Sequence, residues 1–202
     1  MQELTLHRDN KALYATLYGN SSYCVVLCPP HPMYGGNRED SRLVTIAKEL
    51  ANYNISALCI DYSSYTGGDG EIKDTLFALM YMEKKTSSLG LLGYSYGAVI
   101  ASNAAAGFHN LEGLALLSPL KRVNSLKTDL SSNCKKLIIY GSRDPLVIED
   151  IDELYRLAQG EKQRLSLDTD HFYFGRERVA AEAVRRFFHE VFRVPKEETG
   201  LE

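Results

Sequence analysis

The sequence has no tryptophan, few cysteines and no long stretch of basic or apolar residues. No apolar run reaches the roughly 18–20 residues that a membrane-spanning helix needs, and the N-terminus lacks the apolar core of a secretory signal. The net charge of the 202 residues is −3, without a basic stripe, so nucleic acid and anionic membrane surfaces are not expected as partners. We therefore expect a soluble protein of the cytoplasm.

The four cysteines give no metal or disulfide signal. Cys24, Cys28, Cys59 and Cys134 each lie in or beside an apolar, strand-like run. None has the two-residue spacing typical of zinc ligands, and the chain lacks the cysteine content of a disulfide-stapled secreted domain. Reduced, buried thiols are the expectation, and no metal site is predicted.

Apolar runs and helical periodicity alternate along most of the chain. Predicted strands are 3–8, 12–18, 23–28, 56–60, 89–93, 113–117, 136–140 and 164–167. Apolar residues recur with helical spacing at Leu43/Ile46/Ala47/Leu50, Ile72/Leu76/Leu79/Met80, Ile148/Ile151/Leu154/Tyr155 and Val179/Ala183/Phe187/Val191. This alternation predicts an α/β fold, a single domain over 1–202 with a mostly parallel sheet of about eight strands and helices on both faces. Ligand sites in such sheets lie outside the carboxyl ends of the strands.

The segment 93–97, Gly-Tyr-Ser-Tyr-Gly, lies between a predicted strand and an alanine-rich predicted helix. A serine in this context fits a nucleophile elbow, in which the serine occupies a strained, positive-φ turn. Glycines two residues to each side let the strand and the helix approach closely. Ser95 is therefore the predicted nucleophile, and the amide of Tyr96 at the helix start is a predicted oxyanion donor.

An acidic residue and a histidine follow Ser95, each just past a predicted strand. Asp144 and then His171 occupy these places, which is the order and placement of a Ser–Asp–His triad. His171 would take the proton of Ser95 as the serine attacks an acyl carbon, and Asp144 would orient the imidazole. Asp168 and Asp170, which flank His171, are alternative orienting carboxylates.

The loop 29–36, Pro-Pro-His-Pro-Met-Tyr-Gly-Gly, follows a predicted strand and can aim a second amide at the nucleophile. We favour the amide of Met33, with that of Tyr34 as the alternative, since Pro32 has no N–H. His31 is expected to fix the loop by hydrogen bonds rather than to transfer protons. Tyr34 is also the predicted substrate contact.

These motifs together resemble the α/β-hydrolase superfamily, in particular its small, lidless dienelactone-hydrolase-like and short-chain esterase members. The resemblance rests on 31–36, Asp61, 93–97, 141–145 and Asp170-His171. It implies hydrolysis of a small-molecule ester or thioester, or of an amide, without a cofactor or metal. Dienelactone hydrolases typically have cysteine as the nucleophile, so a serine in that place favours esterase-like activity.

The segment 118–134, where larger relatives carry a helical lid, has room for a loop and one short helix. We therefore expect an open site without a sizeable lid. Asp61 is expected to organise the loop that follows it, and Arg38 to be solvated.

Three alternative functions remain: a small peptidase or amidase, an acyltransferase with the same acyl-enzyme, and a catalytically inactive scaffold that binds small molecules or proteins. The oligomeric state is left open.

Overall fold

The structure is a computed structural model that describes residues 1–195. Residues 196–202 of the predicted domain lie outside the described residues. The strands are β1 (Gln2–Arg8), β2 (Lys11–Tyr18), β3 (Tyr23–Cys28), β4 (Ser56–Ile60), β5 (Ser88–Tyr94), β6 (Gly113–Leu117), β7 (Arg122–Val123), β8 (Leu126–Lys127), β9 (Lys135–Gly141) and β10 (Lys162–Leu167). The α-helices are α1 (Ser41–Asn52), α2 (Asp69–Glu83), α3 (Tyr96–Ala106), α4 (Ile151–Leu157) and α5 (Glu177–Val191).

One sheet contains 8 strands in the order β1-β2-β4-β3-β5-β6-β9-β10. β1 pairs with β2, and β2 with β4, in antiparallel fashion, whereas every other pair in this sheet is parallel. The predicted mostly parallel sheet is confirmed. The chain leaves β3 towards β4 on one side and returns to β5 on the other, and a reversal of this kind opens a crevice at the carboxyl ends of β3 and β5.

Helices cover both faces of the sheet, as predicted. Alternate side chains of β3 point in opposite directions, so Val25 joins the core shared with α1 and α5, while Val26 joins the core shared with α2 and α3. In α1 the predicted apolar stripe is the buried face. None of the helices within residues 1–195 has the length and apolarity needed to cross a membrane.

The predicted stripe of α2 is partly wrong, because polar residues take part of its buried face. Met80, predicted as apolar core, is 46% exposed, whereas Glu71 and Asp74 are buried. Asp74 accepts hydrogen bonds from Arg8 and from the backbone N–H of Ser63, so its carboxylate is fully used. Compared with the predicted stripe, the buried face of α2 is rotated about the helix axis, and the two carboxylates bind backbone N–H groups of the loop that precedes the helix.

The stripe of α5 is also shifted. Val179, predicted as core, is 41% exposed, whereas Phe187 is buried as predicted and Phe188, outside the predicted stripe, is buried beside it. The ring of Phe188 packs against Gly90 of β5, and a Cβ at Gly90 would lie 2.4 Å from that ring. Glycine is therefore required at this position. The buried residues of α5 still recur with helical spacing, as a stripe displaced from the predicted one: Ala180, Ala181, Val184, Phe187 and Phe188.

The segment between β6 and β9 contains the antiparallel hairpin β7–β8 and, within the described residues, no helix. The one short helix for which the sequence left room is therefore absent from it. Asn124, at the tip of the hairpin, has a φ of 53°, a conformation that asparagine tolerates better than most residues. The segment forms a side wall of the crevice rather than a lid.

Candidate active site

Ser95 lies in the sharp turn between β5 and α3. Its φ of 56° and ψ of −115° form a strained backbone conformation for a residue with a side chain. A Cβ at Gly93 would lie 2.1 Å from the carbonyl oxygen of Gly97, and one at Gly97 would lie 2.3 Å from that of Cys28. Both positions therefore require glycine, and the turn holds the Ser95 hydroxyl at the carboxyl edge of the sheet.

The imidazole of His171 connects Ser95 to a buried carboxylate. Its Nε2 lies 2.9 Å from Ser95 Oγ, and its Nδ1 lies 2.7 Å from Asp144 Oδ2. Asp144 is fully buried and its other oxygen accepts the N–H of Leu146 at 3.0 Å. These three side chains come from the ends of β5, β9 and β10, and the parallel sheet brings them together.

The environment of Asp144 keeps its carboxylate ionised. Burial raises the pKa of Asp144. The hydrogen bond and charge of His171, with smaller effects of Ser118 and the Leu146 amide, lower it by more than burial raises it, so the net pKa is below the ordinary value. The flanking carboxylates are engaged elsewhere. Asp168 pairs with Arg143 at the surface, and Asp170 accepts the N–H of Phe172.

Three buried hydroxyls, of Tyr173, Ser118 and Tyr94, lie near the carboxylate of Asp144 and the backbone of His171. Tyr173 Oη donates to the carbonyl of Ile139 at 3.0 Å and lies 3.1 Å from Ser118 Oγ. Tyr94 Oη donates to the carbonyl of His171 at 2.9 Å, which fixes the backbone of the histidine. Ser118 was not predicted, because a single serine after a strand carries no recognisable pattern.

The loop after β3 is organised by His31. Its Nδ1 accepts the N–H of Met33 at 3.2 Å, and its carbonyl accepts the N–H of Tyr34 at 3.0 Å. Its ring contacts those of Tyr34, Tyr65 and Tyr96, with centroids 4.6 to 4.9 Å apart. The expected structural role of His31 matches these contacts, but neither the Met33 nor the Tyr34 amide is free in this arrangement.

Asp61 organises the same region. It accepts the backbone N–H of Arg38 at 2.7 Å and also binds the Arg38 guanidinium, which reaches Thr16 at 3.2 Å. Asp61 therefore fixes the loop that leads into α1, a contact that its sequence position at the end of a strand did not reveal. Arg38 is held by this pair, whereas solvation was expected.

Solved structures of low sequence identity share this architecture. An α/β serine hydrolase homologue from Coxiella burnetii superposes with a TM-score of 0.81 at 20% identity, covering 92% of this chain and 96% of that one. A lidless α/β serine hydrolase from Xanthomonas campestris gives 0.77 at 20% identity over 95% and 93%. An esterase from Pyrococcus furiosus gives 0.78 at 18% identity over 94% and 91%. The chain has the α/β-hydrolase fold.

Sequence comparisons identify no characterised relative of this protein beyond the shared fold. No family model matches the chain. An uncharacterised protein from Rickettsia prowazekii is 22% identical over 180 residues, in a match that covers 79% of this chain and 76% of that protein.

A cleft of about 730 Å³ opens at Ser95 and His171, at the place where the α/β-hydrolase fold leaves its crevice. The hairpin closes one side of it, because Asn124 Nδ2 donates to Tyr65 Oη at 3.1 Å. Arg42 lies in the cleft with its guanidinium 4.7 Å from the centroid of the Tyr94 ring, and it is bound to Asp40. Arg42 escaped prediction because it lies on the first turn of a helix that was recognised by its apolar face alone.

Three of the four cysteines are buried thiols with raised pKa values, which disfavours the thiolate form. Burial raises the pKa of Cys24 and Cys28 to about 12, and it raises that of Cys59 as well. All four cysteines are free, with Cys134 partly exposed. Within residues 1–195 no group of three or more His, Cys, Asp or Glu side chains is arranged to hold a metal ion.

Proposed function

We propose that this protein is a serine hydrolase that cleaves a carboxylic ester or thioester through an acyl-enzyme. The observation that carries the proposal is the continuous hydrogen-bonded chain from Ser95 through His171 to the buried Asp144, at the base of an open cleft. The fold shared with serine hydrolases and an esterase supports it as an analogy of scaffold.

Each member of the chain has one role in the proposed reaction. Ser95 Oγ attacks the acyl carbon while His171 Nε2 accepts its proton, and the same nitrogen then returns the proton to the leaving group. Asp144 accepts a hydrogen bond from the Nδ1–H of His171, which selects the productive tautomer and stabilises the imidazolium without proton transfer to the carboxylate. Its lowered pKa keeps it ionised throughout this cycle.

Two backbone amides would bind the developing oxyanion. The N–H of Tyr96 is at the first position of α3, where the helix itself offers no acceptor. In the 31–36 loop, the predicted donor Met33 is bonded to the His31 side chain, and Tyr34 is bonded to the His31 carbonyl. The His31 amide donates to no acceptor among residues 1–195, so it replaces Met33 in the proposal.

The proposal is tested by kinetics on p-nitrophenyl butyrate with wild type and Ser95→Ala, His171→Ala and Asp144→Asn. We expect each variant to lose at least about 10³-fold in kcat while remaining folded, because the three groups act as a unit. Hydrolysis by Ser95→Ala at the wild-type rate would rule out the triad, and an inactive, folded wild type would favour the binding-scaffold alternative.

The oxyanion assignment has its own test, since the φ of −62° at His31 is compatible with proline. His31→Pro removes the N–H and the imidazole, while the control His31→Ala removes the imidazole alone. We expect His31→Pro to reduce kcat by about 10²–10³ relative to His31→Ala. Equal kcat values for the two variants would mean that the His31 amide is not the second oxyanion donor and that another amide of the loop has this role.

A further inference from the structure

Exposed apolar side chains surround the mouth of the cleft. Met33 is 67% exposed, Tyr34 89%, Leu146 58% and Phe172 51%, and all four line the cleft that contains Ser95. They belong to the loops that follow β3, β9 and β10, so they surround the nucleophile from three directions. Apolar side chains that cluster at one opening, rather than being scattered, indicate a surface that binds an apolar ligand.

The cleft offers no unpaired charge to a substrate. Arg42 is bound side-on by Asp40, its Nε lying 2.9 Å from Oδ1, and its guanidinium is stacked on the ring of Tyr94. Burial lowers the pKa of His31, so its imidazole is neutral near pH 7. A carboxylate or ammonium group on the substrate would thus lose water without gaining a free partner.

The size of the cleft exceeds what a short ester needs. Its volume of about 730 Å³ is in the range of about 300–1,000 Å³ that accommodates drug-sized ligands. An acetate or propionate ester would leave Leu146 and Phe172 exposed, because the reacting carbonyl must lie at Ser95. A longer group would cover these two side chains.

We propose that the preferred substrates are uncharged esters or thioesters with an extended apolar group that lies against Leu146 and Phe172. This inference rests on the proposed function and narrows its substrate class. Each buried methylene is worth about 0.8 kcal/mol, or about fourfold in affinity. Half-burial in an open cleft gives about a twofold gain for each methylene. Four added methylenes are therefore expected to raise kcat/KM about tenfold or more.

The test measures kcat/KM in two series, p-nitrophenyl acetate to decanoate and ethyl to decyl acetate. We expect a rise of about tenfold from butyrate to octanoate in the first series, or from butyl to octyl in the second. Leu146→Ser and Phe172→Ser should each reduce this chain-length ratio at least threefold. The matched control Leu157→Ser, at a leucine of α4 that is 49% exposed and does not line the cleft, should leave it unchanged.

The failure of this inference differs from the failure of the proposed function. Short and long esters hydrolysed equally well by Ser95 would overturn the substrate class and leave the serine hydrolase in place. A fall of the ratio in Leu157→Ser as large as in Leu146→Ser would also overturn it. A wild-type dimer that Leu146→Ser converts to a monomer, by sedimentation, would show that the apolar mouth is an interface between two copies. Absence of any Ser95-dependent hydrolysis would end both proposals.

Discussion

The carboxylate of Glu71 joins the glycine-rich loop before α2 to the residue that follows the nucleophile. It is fully buried and accepts four hydrogen bonds. The Thr66 N–H and Tyr96 Oη donate to Oε1 at 2.9 and 3.0 Å. The Thr66 hydroxyl and the Gly68 N–H donate to Oε2 at 2.5 and 3.1 Å. Because every partner is a donor, the site requires an acceptor on both oxygens.

Glu71→Gln keeps the size of the side chain but turns one oxygen into an amide NH₂ that faces two donors. Two bonds to a charged acceptor are lost, and at about 1.5 kcal/mol each they lower the free energy of unfolding by about 3 kcal/mol. Tyr96→Phe removes one of the four donors and leaves the rest in place. Its expected cost is about 1.5 kcal/mol.

Urea unfolding followed by circular dichroism measures both changes at pH 7. Glu161→Gln is the control, since Glu161 is 67% exposed and forms a surface pair with Lys135, so a change below about 0.5 kcal/mol is expected. A loss of less than 1 kcal/mol for Glu71→Gln would refute the account of this network.

The same network predicts how stability depends on pH. Burial raises the pKa of Glu71, but the bonds from Thr66 and Tyr96 lower it below its ordinary value. Because the folded pKa is the lower one, the stabilisation is complete above about pH 4.3, the unfolded value, and is lost as the pH falls through the folded pKa. The difference between wild type and Glu71→Gln should therefore shrink on acidification below that pH.

Other substitutions probe the turn and the support of Asp144. Ser95→Gly should relieve strain of about 1–3 kcal/mol, offset by about 0.5–1 kcal/mol of glycine entropy, so activity is lost while Tm rises by as much as several degrees; a lower Tm would contradict the strain. Gly97→Ala would place a Cβ 2.3 Å from the Cys28 carbonyl, so a loss of about 1–3 kcal/mol in urea unfolding is expected and a neutral effect would contradict the geometry. Ser118→Ala removes a hydroxyl that bonds Asp144 and lowers its pKa, and it should reduce kcat about fivefold at unchanged KM, as the loss of one bond of about 1 kcal/mol implies; a KM effect alone would contradict this.

The sheet and the members of the proposed triad were predictable because each has a local signature. Apolar runs predicted the strands and helical periodicity predicted the helices. The parallel order of the strands then indicated which loops meet at the carboxyl edge of the sheet. Ser95 was marked by glycines on both sides, and Asp144 and His171 by their positions just past strands. Their mutual distances required the structure.

The groups that escaped prediction act through contacts distant in sequence. Glu71 is part of an amphipathic-looking helix, and only its partners before α2 and in α3 show why it is buried. The amide of Met33, the favoured second donor, is bonded to the His31 side chain, a contact that residue spacing does not reveal. Arg42 is likewise placed in the cleft by Tyr94 and Asp40 rather than by any repeat.

Covalent labelling tests the proposed nucleophile most directly. Wild type and Ser95→Ala are incubated with a fluorophosphonate, and the adduct is quantified by intact mass and located by peptide mapping. The account predicts one adduct per wild-type chain, on Ser95, and none on the variant. A folded wild type that remains unlabelled, or a variant that is labelled equally, would contradict it.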